Sequence, residues 1–415
     1  MSIITSATRM WLTRSFKPFT FLPEFDQDLP YAECQQLGLY IHIPFCKTLC
    51  NFCPYCKVAY DKEKADQYVD ALIQEIHLVG NKARKDVTSL YFGGGTPALA
   101  SDRLKEIINA IQQHFIIHDG IGLELHPDNV NVETLATLKN AGITKISIGI
   151  QSFNDKYQKI LGRQPVDPIK LKQALDQVPF ETVSMDFIFA LPNQTFIDLK
   201  DDIDLAFQNG ANHIAIYPFI DFTFTTSKVK AMPKKQKQQL LEDITNYCEA
   251  KNYHRSSIWT FANQTDATYS SMTRETFLGF GCSAATLLKD QFKINSFDID
   301  SYIKRIQSHT LPTSLTLRFT KYQRMVYWLF WTAYSTKVNQ DDFQHFFHTS
   351  LESQYGLELA FAKLAGFIKQ DAKTYSLTHK GAFYYHYYEN FYTLSYIDKM
   401  WGIMKEEAFP KKITM

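Results

Sequence analysis

The sequence predicts an α/β protein, an open and partial (β/α)6 barrel of the TIM type followed by a small, mainly helical C-terminal domain. Three observations predict it. Six short apolar or alternating runs, each close to a turn signal, recur between residues 39 and 217. Stretches with apolar residues at spacings of three and four separate them. Beyond about residue 295 the pattern turns mainly helical. Strands alternating with helices imply right-handed βαβ crossovers and a parallel sheet. Functional residues then gather at the carboxyl ends of the strands.

The expected strands are 39–45, 89–92, 121–125, 145–150, 183–189 and 213–217. Between them, 61–84 carries Ala65, Tyr68, Val69, Leu72, Ile73, Ile76 and Val79 on one stripe. Residues 103–114 repeat the pattern with Leu104, Ile107, Ile108 and Ile111. Further helices are expected at 132–140, 169–175 and 197–208. Residues 1–36, with Pro18, Pro23 and Pro30, read as an irregular lead-in. The barrel and its extension are expected over 37–295. The C-terminal domain is expected over 296–415, with helices at 321–331, 340–347, 356–367 and 378–401 and a short strand at 375–377.

The chain has 415 residues, 45% of them hydrophobic, enough for one barrel plus a smaller domain. Its formal net charge of +1 gives no electrostatic footprint for nucleic acid or a membrane surface. No apolar run long enough for a membrane span occurs. Residues 1–20 carry Arg9, Arg14 and Lys17 and no acid, but lack the apolar run of a secretory signal. Aromatics are high at 14%, which fits either compositional bias or a pocket for a flat substrate. Seven cysteines, an odd number in a long chain, argue against a secreted disulfide scaffold. A reducing cytoplasm and a metal site are expected instead.

Four of the seven lie within eleven residues, at Cys46, Cys50, Cys53 and Cys56, directly after the first expected strand. Thiolates are soft ligands suited to iron–sulfur clusters and to zinc. Cys46, Cys50 and Cys53 on one loop can hold three irons of a cubane and leave the fourth open. All four cysteines could instead close a structural zinc site. Cys56 reads as a neighbour of the site; Cys34, Cys248 and Cys282 read as small buried hydrophobes.

Cys46-x3-Cys50-x2-Cys53, with an aromatic at Phe52, resembles the signature of the radical S-adenosylmethionine (SAM) superfamily. The preceding Tyr40-Ile-His42-Ile-Pro44-Phe45 narrows the resemblance to the oxygen-independent coproporphyrinogen III oxidase (HemN)-like family. That family includes the oxidase, a haem chaperone, class C radical SAM methyltransferases, and related cyclopropanating or haem-degrading enzymes. The likeness covers roughly residues 38–230, with a weaker echo to the C-terminus.

The resemblance implies a [4Fe–4S] cluster on Cys46, Cys50 and Cys53, with SAM at the open iron. It implies that Tyr91-Phe92-Gly93-Gly94-Gly95-Thr96-Pro97 meets the SAM amino group through Gly94, Gly95 and Thr96. Glu124 would take the ribose hydroxyls, Arg163 the carboxylate, and Tyr40 the methionine side. Phe52, Gln151 and Asp186 complete the cofactor-binding set. The activity implied is reductive cleavage of SAM to a 5′-deoxyadenosyl radical, acting on a tetrapyrrole by decarboxylation or as a class C methyltransferase. A haem chaperone that keeps the cluster without catalysis is the alternative. The implied partners are a small-molecule substrate, possibly a tetrapyrrole, and a reduced electron donor of flavodoxin or ferredoxin type.

The sequence departs from the family at several places. Ala190 and Asn193 replace glycines in Asp186-Phe187-Ile188-Phe189-Ala190-Leu191-Pro192-Asn193-Gln194-Thr195, so a less open turn is expected. Cys53-Pro54-Tyr55-Cys56 replaces Cys-Gly-Cys. Tyr269-Ser-Ser-Met-Thr-Arg274 precedes Leu278-Gly279-Phe280-Gly281-Cys282, and Arg274 reads as a substrate clamp or an ordinary surface charge. Tyr384, Tyr385, His386, Tyr387 and Tyr388 form an aromatic run that reads as helical packing or as a tetrapyrrole contact.

Overall fold

The computed structural model describes residues 3–23, 29–80, 83–263 and 275–415. Its centre is one twelve-stranded sheet. We number its strands β1 Leu37–Ile43, β2 Leu90–Gly94, β3 Ile121–Leu125, β4 Lys145–Gln151, β5 Thr182–Phe189 and β6 His213–Pro218, then β7 His254–Arg255, β8 Thr260–Ala262, β9 Thr276–Phe280, β10 Ala285–Leu287, β11 Gln291–Asn295 and β12 Thr313–Arg318. The order across the sheet is β7-β8-β6-β5-β4-β3-β2-β1-β9-β10-β11-β12. The first six strands run parallel to their neighbours, in register from Tyr40 opposite Tyr91 to Asp186 opposite Ala215.

The crossovers are helical. They are α1 Lys62–Val79, α2 Leu104–His114, α3 Val132–Ala141, α4 Asp155–Leu161, α5 Pro168–Gln177 and α6 Phe196–Gln208, with α7 Lys234–Ala250 after β6. Asp61, Asn131, Asn154, Asp167 and Thr195 cap the N-termini of α1, α3, α4, α5 and α6 with side-chain oxygens on backbone N–H groups. The core lies between sheet and helices. Each parallel strand is buried on both faces, so its residues are mostly apolar throughout.

All six expected barrel strands are present, and the barrel is open. Beyond β1 the sheet continues through β9, parallel to β1, into the antiparallel run β10–β12. Residues 313–318, which the sequence reading grouped with the C-terminal part, are therefore the last strand of the main sheet. Residues 3–13 form a helix rather than an irregular lead-in. It is held to the C-terminal part by the Arg14–Glu358 ion pair and by Tyr355 Oη donating to Leu12 O. Those partners lie more than 340 residues away in the chain, so no local signal announces them.

The C-terminal part contains α8 Ile299–Gln307, α9 Lys321–Tyr334, α10 Gln340–Phe347, α11 Leu351–Leu364, α12 His379–Tyr392 and α13 Asp398–Glu406. A three-stranded antiparallel sheet (337–339, 374–377, 368–371) sits among them. Its own core gathers Met325, Trp328, Phe343, Leu351 and Tyr375. Helix α13 reaches back over the barrel mouth. Its Asp398 carboxylate accepts from both N and Oγ1 of Thr223 at 2.7 Å. Trp401 packs against Phe222, Phe297 and Tyr55 of the cysteine loop. No helix among the described residues is long and apolar enough to cross a membrane.

Candidate cluster and cofactor site

The cysteine loop leaves the carboxyl end of β1 and is pinned before it can wander. Val58 N donates to Pro44 O at 2.8 Å and Tyr60 N to Cys46 O at 2.9 Å, closing the loop on itself. Lys57 Nζ donates to Cys50 O at 2.7 Å and to Cys53 O at 2.8 Å. That ammonium ties together the two carbonyls beside two of the thiols. Cys46 is buried, while Cys50 and Cys53 are partly open. The three are near enough for the ionisation of Cys46 to feel the other two. Burial pushes the Cys46 thiol up to about 11, against a lowering hydrogen bond from Thr96. A metal that takes the Cys46 sulfur must therefore displace its proton.

Cys56 turns away. It is buried, its Sγ donates to Phe297 O at 3.2 Å, and it lies 3.9 Å from Cys282 Sγ. His42, 3% exposed, bonds Cys56 O through Nε2 at 2.9 Å and Tyr40 Oη through Nδ1 at 3.1 Å. The three-residue group His42, Cys56 and Cys282 is thus a buried knot beside the loop.

The glycine-rich turn after β2 runs directly under this loop. Gly95 N donates to Ile43 O and Thr96 N to Phe45 O, both at 2.8 Å. A Cβ on Gly95 would stand 2.7 Å from Phe45 O, so only glycine lets the two backbones meet. Thr96 Oγ1 reaches Cys46 Sγ at 3.7 Å. Gly94 holds a positive φ of 121°, and its N–H points at Glu124 Oε2 at 3.2 Å.

Glu124 and Asp186 stand on β3 and β5 inside the barrel. Tyr91 Oη donates to Glu124 Oε1 at 3.2 Å. Burial, then the neighbouring Asp186 carboxylate, raises Glu124 to about 7. Asp186 accepts from Ser147 Oγ at 2.8 Å on both oxygens and from Ser184 Oγ at 3.2 Å. Burial still raises it to about 6. Two carboxyls facing one interior offer acceptor oxygens to hydroxyl or ammonium groups of a ligand.

Gln151 ends β4 with a positive φ of 72° and folds its amide back across Gly149. Arg163 follows α4, whose C-cap Gly162 turns left-handed at φ 68°. Burial lowers the pKa of its guanidinium, against the charges of Cys50, Asp128, Cys53 and Cys46. Its Nη2 is buried without a hydrogen-bond partner among the described residues. Phe52 packs with Tyr157, Leu161 and Ile188 beside α4. An orphaned guanidinium nitrogen within electrostatic reach of the three cysteines fits a site that receives a cluster and a carboxylate-bearing ligand.

The structure thus brings Tyr40, Gly94, Gly95, Thr96, Glu124, Arg163 and Asp186 around the cysteine end of the barrel. Arg274 and Tyr269 lie outside the described residues. The expectation of a less open turn at Ala190 and Asn193 needs correction. Both keep left-handed backbone, at φ 66° and 58°. Asn tolerates that region, but Ala190 holds it at a cost of about 1–2 kcal/mol. Gln194 compensates by donating to Ile188 O and accepting from Leu191 N. Sequence reasoning missed Lys57, His42, Ser147 and Ser184. Ser147 and Ser184 share the alternation that places Asp186 inward, the one signal that could have found them.

Residues 40–206 match the Radical SAM superfamily, so this part of the chain is a radical SAM domain. Proteins of this class use a [4Fe–4S] cluster and SAM. Among its relatives, the chain is 27% identical over 360 residues to the heme chaperone HemW of Bacillus subtilis (strain 168), covering 82% of this chain and 95% of that one. It is 24% identical over 394 residues to the oxygen-independent coproporphyrinogen III oxidase of Pseudomonas aeruginosa, covering 83% of each. The solved structure of coproporphyrinogen III oxidase (HemN) from Escherichia coli shares the fold. It superposes with a TM-score of 0.75 at 21% identity, over 91% of this chain and 96% of that one.

Proposed function

We propose that this chain is an enzyme that reductively cleaves SAM and acts on a tetrapyrrole, as a coproporphyrinogen oxidase-like enzyme or a class C methyltransferase. The observation that supports it most is the buried, unpartnered Arg163 Nη2 beside the thiols of Cys46, Cys50 and Cys53. Those three cysteines would hold the cluster, and Cys56 would not. When bound, the cluster supplies one electron that breaks the sulfonium C–S bond of SAM to give a 5′-deoxyadenosyl radical.

The chain's own residues would bind and orient. Arg163 presents a planar fork of donors to the SAM carboxylate. The turn through Gly94, Gly95 and Thr96 offers backbone to the amino group, with Tyr40 on the methionine side. Glu124 and Asp186 accept from the ribose hydroxyls and their surroundings, and Gln151 supplies both a donor and an acceptor. Phe52 excludes water along the α4 side of the loop. Thr96 Oγ1–H donates to Cys46 sulfur and favours its thiolate. Trp401 and Tyr55 narrow the mouth, which limits access of water and oxygen.

A second reading is a haem chaperone that keeps the cluster without turnover. The match to 95% of the length of the B. subtilis heme chaperone favours it. Anaerobically reconstituted protein incubated with SAM and dithionite separates the two. Release of 5′-deoxyadenosine, with a product from coproporphyrinogen, supports the enzyme. Stoichiometric haem binding with no SAM cleavage overturns it in favour of the chaperone. Zinc without iron or sulfide overturns both.

A further inference from the structure

Three side chains of metal-binding type meet beside the cysteine loop, and the proposed cluster uses none of them. His42 comes from β1, Cys56 from the end of the loop, and Cys282 from the turn between β9 and β10. One ligand atom from each, an imidazole nitrogen and two sulfurs, lies within 4.8 Å of the other two, and all three residues are buried.

The backbone around them is fixed. β9 runs parallel to β1 with Phe280 opposite Ile41, which sets Cys282 near His42. Tyr68 of α1 bridges the two: its Oη donates to His42 O at 2.7 Å and accepts from Cys282 N at 2.9 Å. Gly281 holds a φ of 96°, and a Cβ there would stand 2.7 Å from His42 O, so the turn sits directly on β1. The His42 ring lies in turn against Gly94, whose added Cβ would stand 2.7 Å from its Cε1.

The spacing of the ligand atoms fits a shared ion. Cys56 Sγ and Cys282 Sγ stand 3.9 Å apart. Two thiolates held at about 2.3 Å by one tetrahedral zinc ion are separated by about 3.8 Å. His42 Nδ1 meets Tyr40 Oη at 3.1 Å, the kind of partner that orients a ligating imidazole through its other nitrogen. Nε2, 2.9 Å from Cys56 O, is the nitrogen left to take the metal. Phe297 O, 3.2 Å from Cys56 Sγ, supplies an oxygen for the fourth corner. Two sulfurs and an imidazole favour zinc over magnesium or calcium, which take oxygens. Two thiolates also cancel the charge of one divalent ion, which a buried site requires.

We propose that His42, Cys56 and Cys282 bind one Zn²⁺ at a structural site separate from the cluster, tying the end of the cysteine loop to β1 and the β9–β10 turn. Binding displaces the two thiol protons to solvent, and the imidazole proton sits on Nδ1 with Tyr40 Oη as its acceptor.

The test supplies cluster-loaded protein with one equivalent of zinc, passes it over a chelating resin, and measures iron and zinc by mass spectrometry. One zinc per chain is expected alongside full iron. Cys56→Ala and Cys282→Ala are each expected to lower retained zinc at least ten-fold while iron stays. X-ray absorption at the zinc edge of the parent is expected to show two sulfurs at about 2.3 Å with lighter donors at about 2.0–2.1 Å, and it carries the test should either variant fail to fold. Loss of all zinc on the resin, undiminished zinc in the folded variants, or three or more sulfurs around the zinc overturns the proposal. So does a Cys56–Cys282 disulfide in the isolated protein. Iron and zinc are read separately, so a chain that keeps iron and loses zinc refutes this site and leaves the proposed function standing. Zinc with two sulfurs and no iron does the reverse.

Discussion

Gly95→Ala tests how the cysteine loop is held. The added methyl would lie 2.7 Å from Phe45 O, 2.8 Å from Pro44 C and 2.9 Å from Phe45 N. All three are backbone atoms, so no side chain can swing aside. The Pro44–Phe45 peptide must retreat by at least about 0.7 Å to reach van der Waals distance. That movement loosens the two 2.8 Å hydrogen bonds of Gly95 N and Thr96 N, each contributing about 1 kcal/mol. Overpacking alone costs about 1–3 kcal/mol, so a loss of roughly 2–3 kcal/mol is expected. The φ of Gly95 is not positive, so no conformational penalty confounds the reading. Because Cys46 follows Phe45 directly, the displaced peptide also carries one of the three thiols. The assays are thermal melting and iron and sulfide content after anaerobic reconstitution. Gly356→Ala is the control: nothing lies within 4 Å of its added methyl, and no loss of stability is expected. Gly95→Ala with unchanged melting temperature and full iron content would refute the close-approach argument.

Serine at Cys46, Cys50 or Cys53 should reduce reconstituted iron to near background, whereas Cys56→Ser should keep it; equal loss in all four by iron and sulfide assay would place Cys56 among the ligands. Glu75 is 2% exposed and accepts from Gly281 N and Tyr302 Oη at 2.7 Å and from Asn295 Nδ2 at 3.1 Å. Glu75→Ala strands three buried donors and should cost about 3 kcal/mol or more in urea unfolding, Glu75→Gln about 1 kcal/mol. Burial raises Glu75 to about 7. Its protonated form is thus favoured in the fold, and its contribution is full below about pH 4.5 and lost as pH rises through 7; unfolding curves of Glu75→Gln against pH should lack that decline. Arg163→Met should weaken SAM binding to the reconstituted protein at least ten-fold by equilibrium dialysis, and an unchanged affinity would remove Arg163 from the site.

The division between legible and hidden features follows the range of the forces involved. Strands β1 to β6 were readable because each is a buried run beside a turn, a local pattern with period and punctuation. Helix α4 was missed because seven residues carry too little periodicity, although its Asn154 cap and Gly162 stop are both visible. The continuation β9 to β12 was missed because pairing such as Leu39 opposite Leu278 joins residues far apart in the chain. The Cys46, Cys50 and Cys53 spacing stood out because chelation by one loop is itself local.

Unaided, the order of residues determined the chain's class: periodicity and thiol spacing are properties of neighbours along the backbone. Only the folded molecule decided that Cys56 turns toward Cys282, that Arg163 stands beside three sulfurs with a nitrogen unspent, and that Glu124 and Asp186 share one interior. Those relations join separate strands and loops. They depend on which surfaces the sheet and helices bury together, and burial is what shifts the carboxyls and leaves the guanidinium seeking a partner.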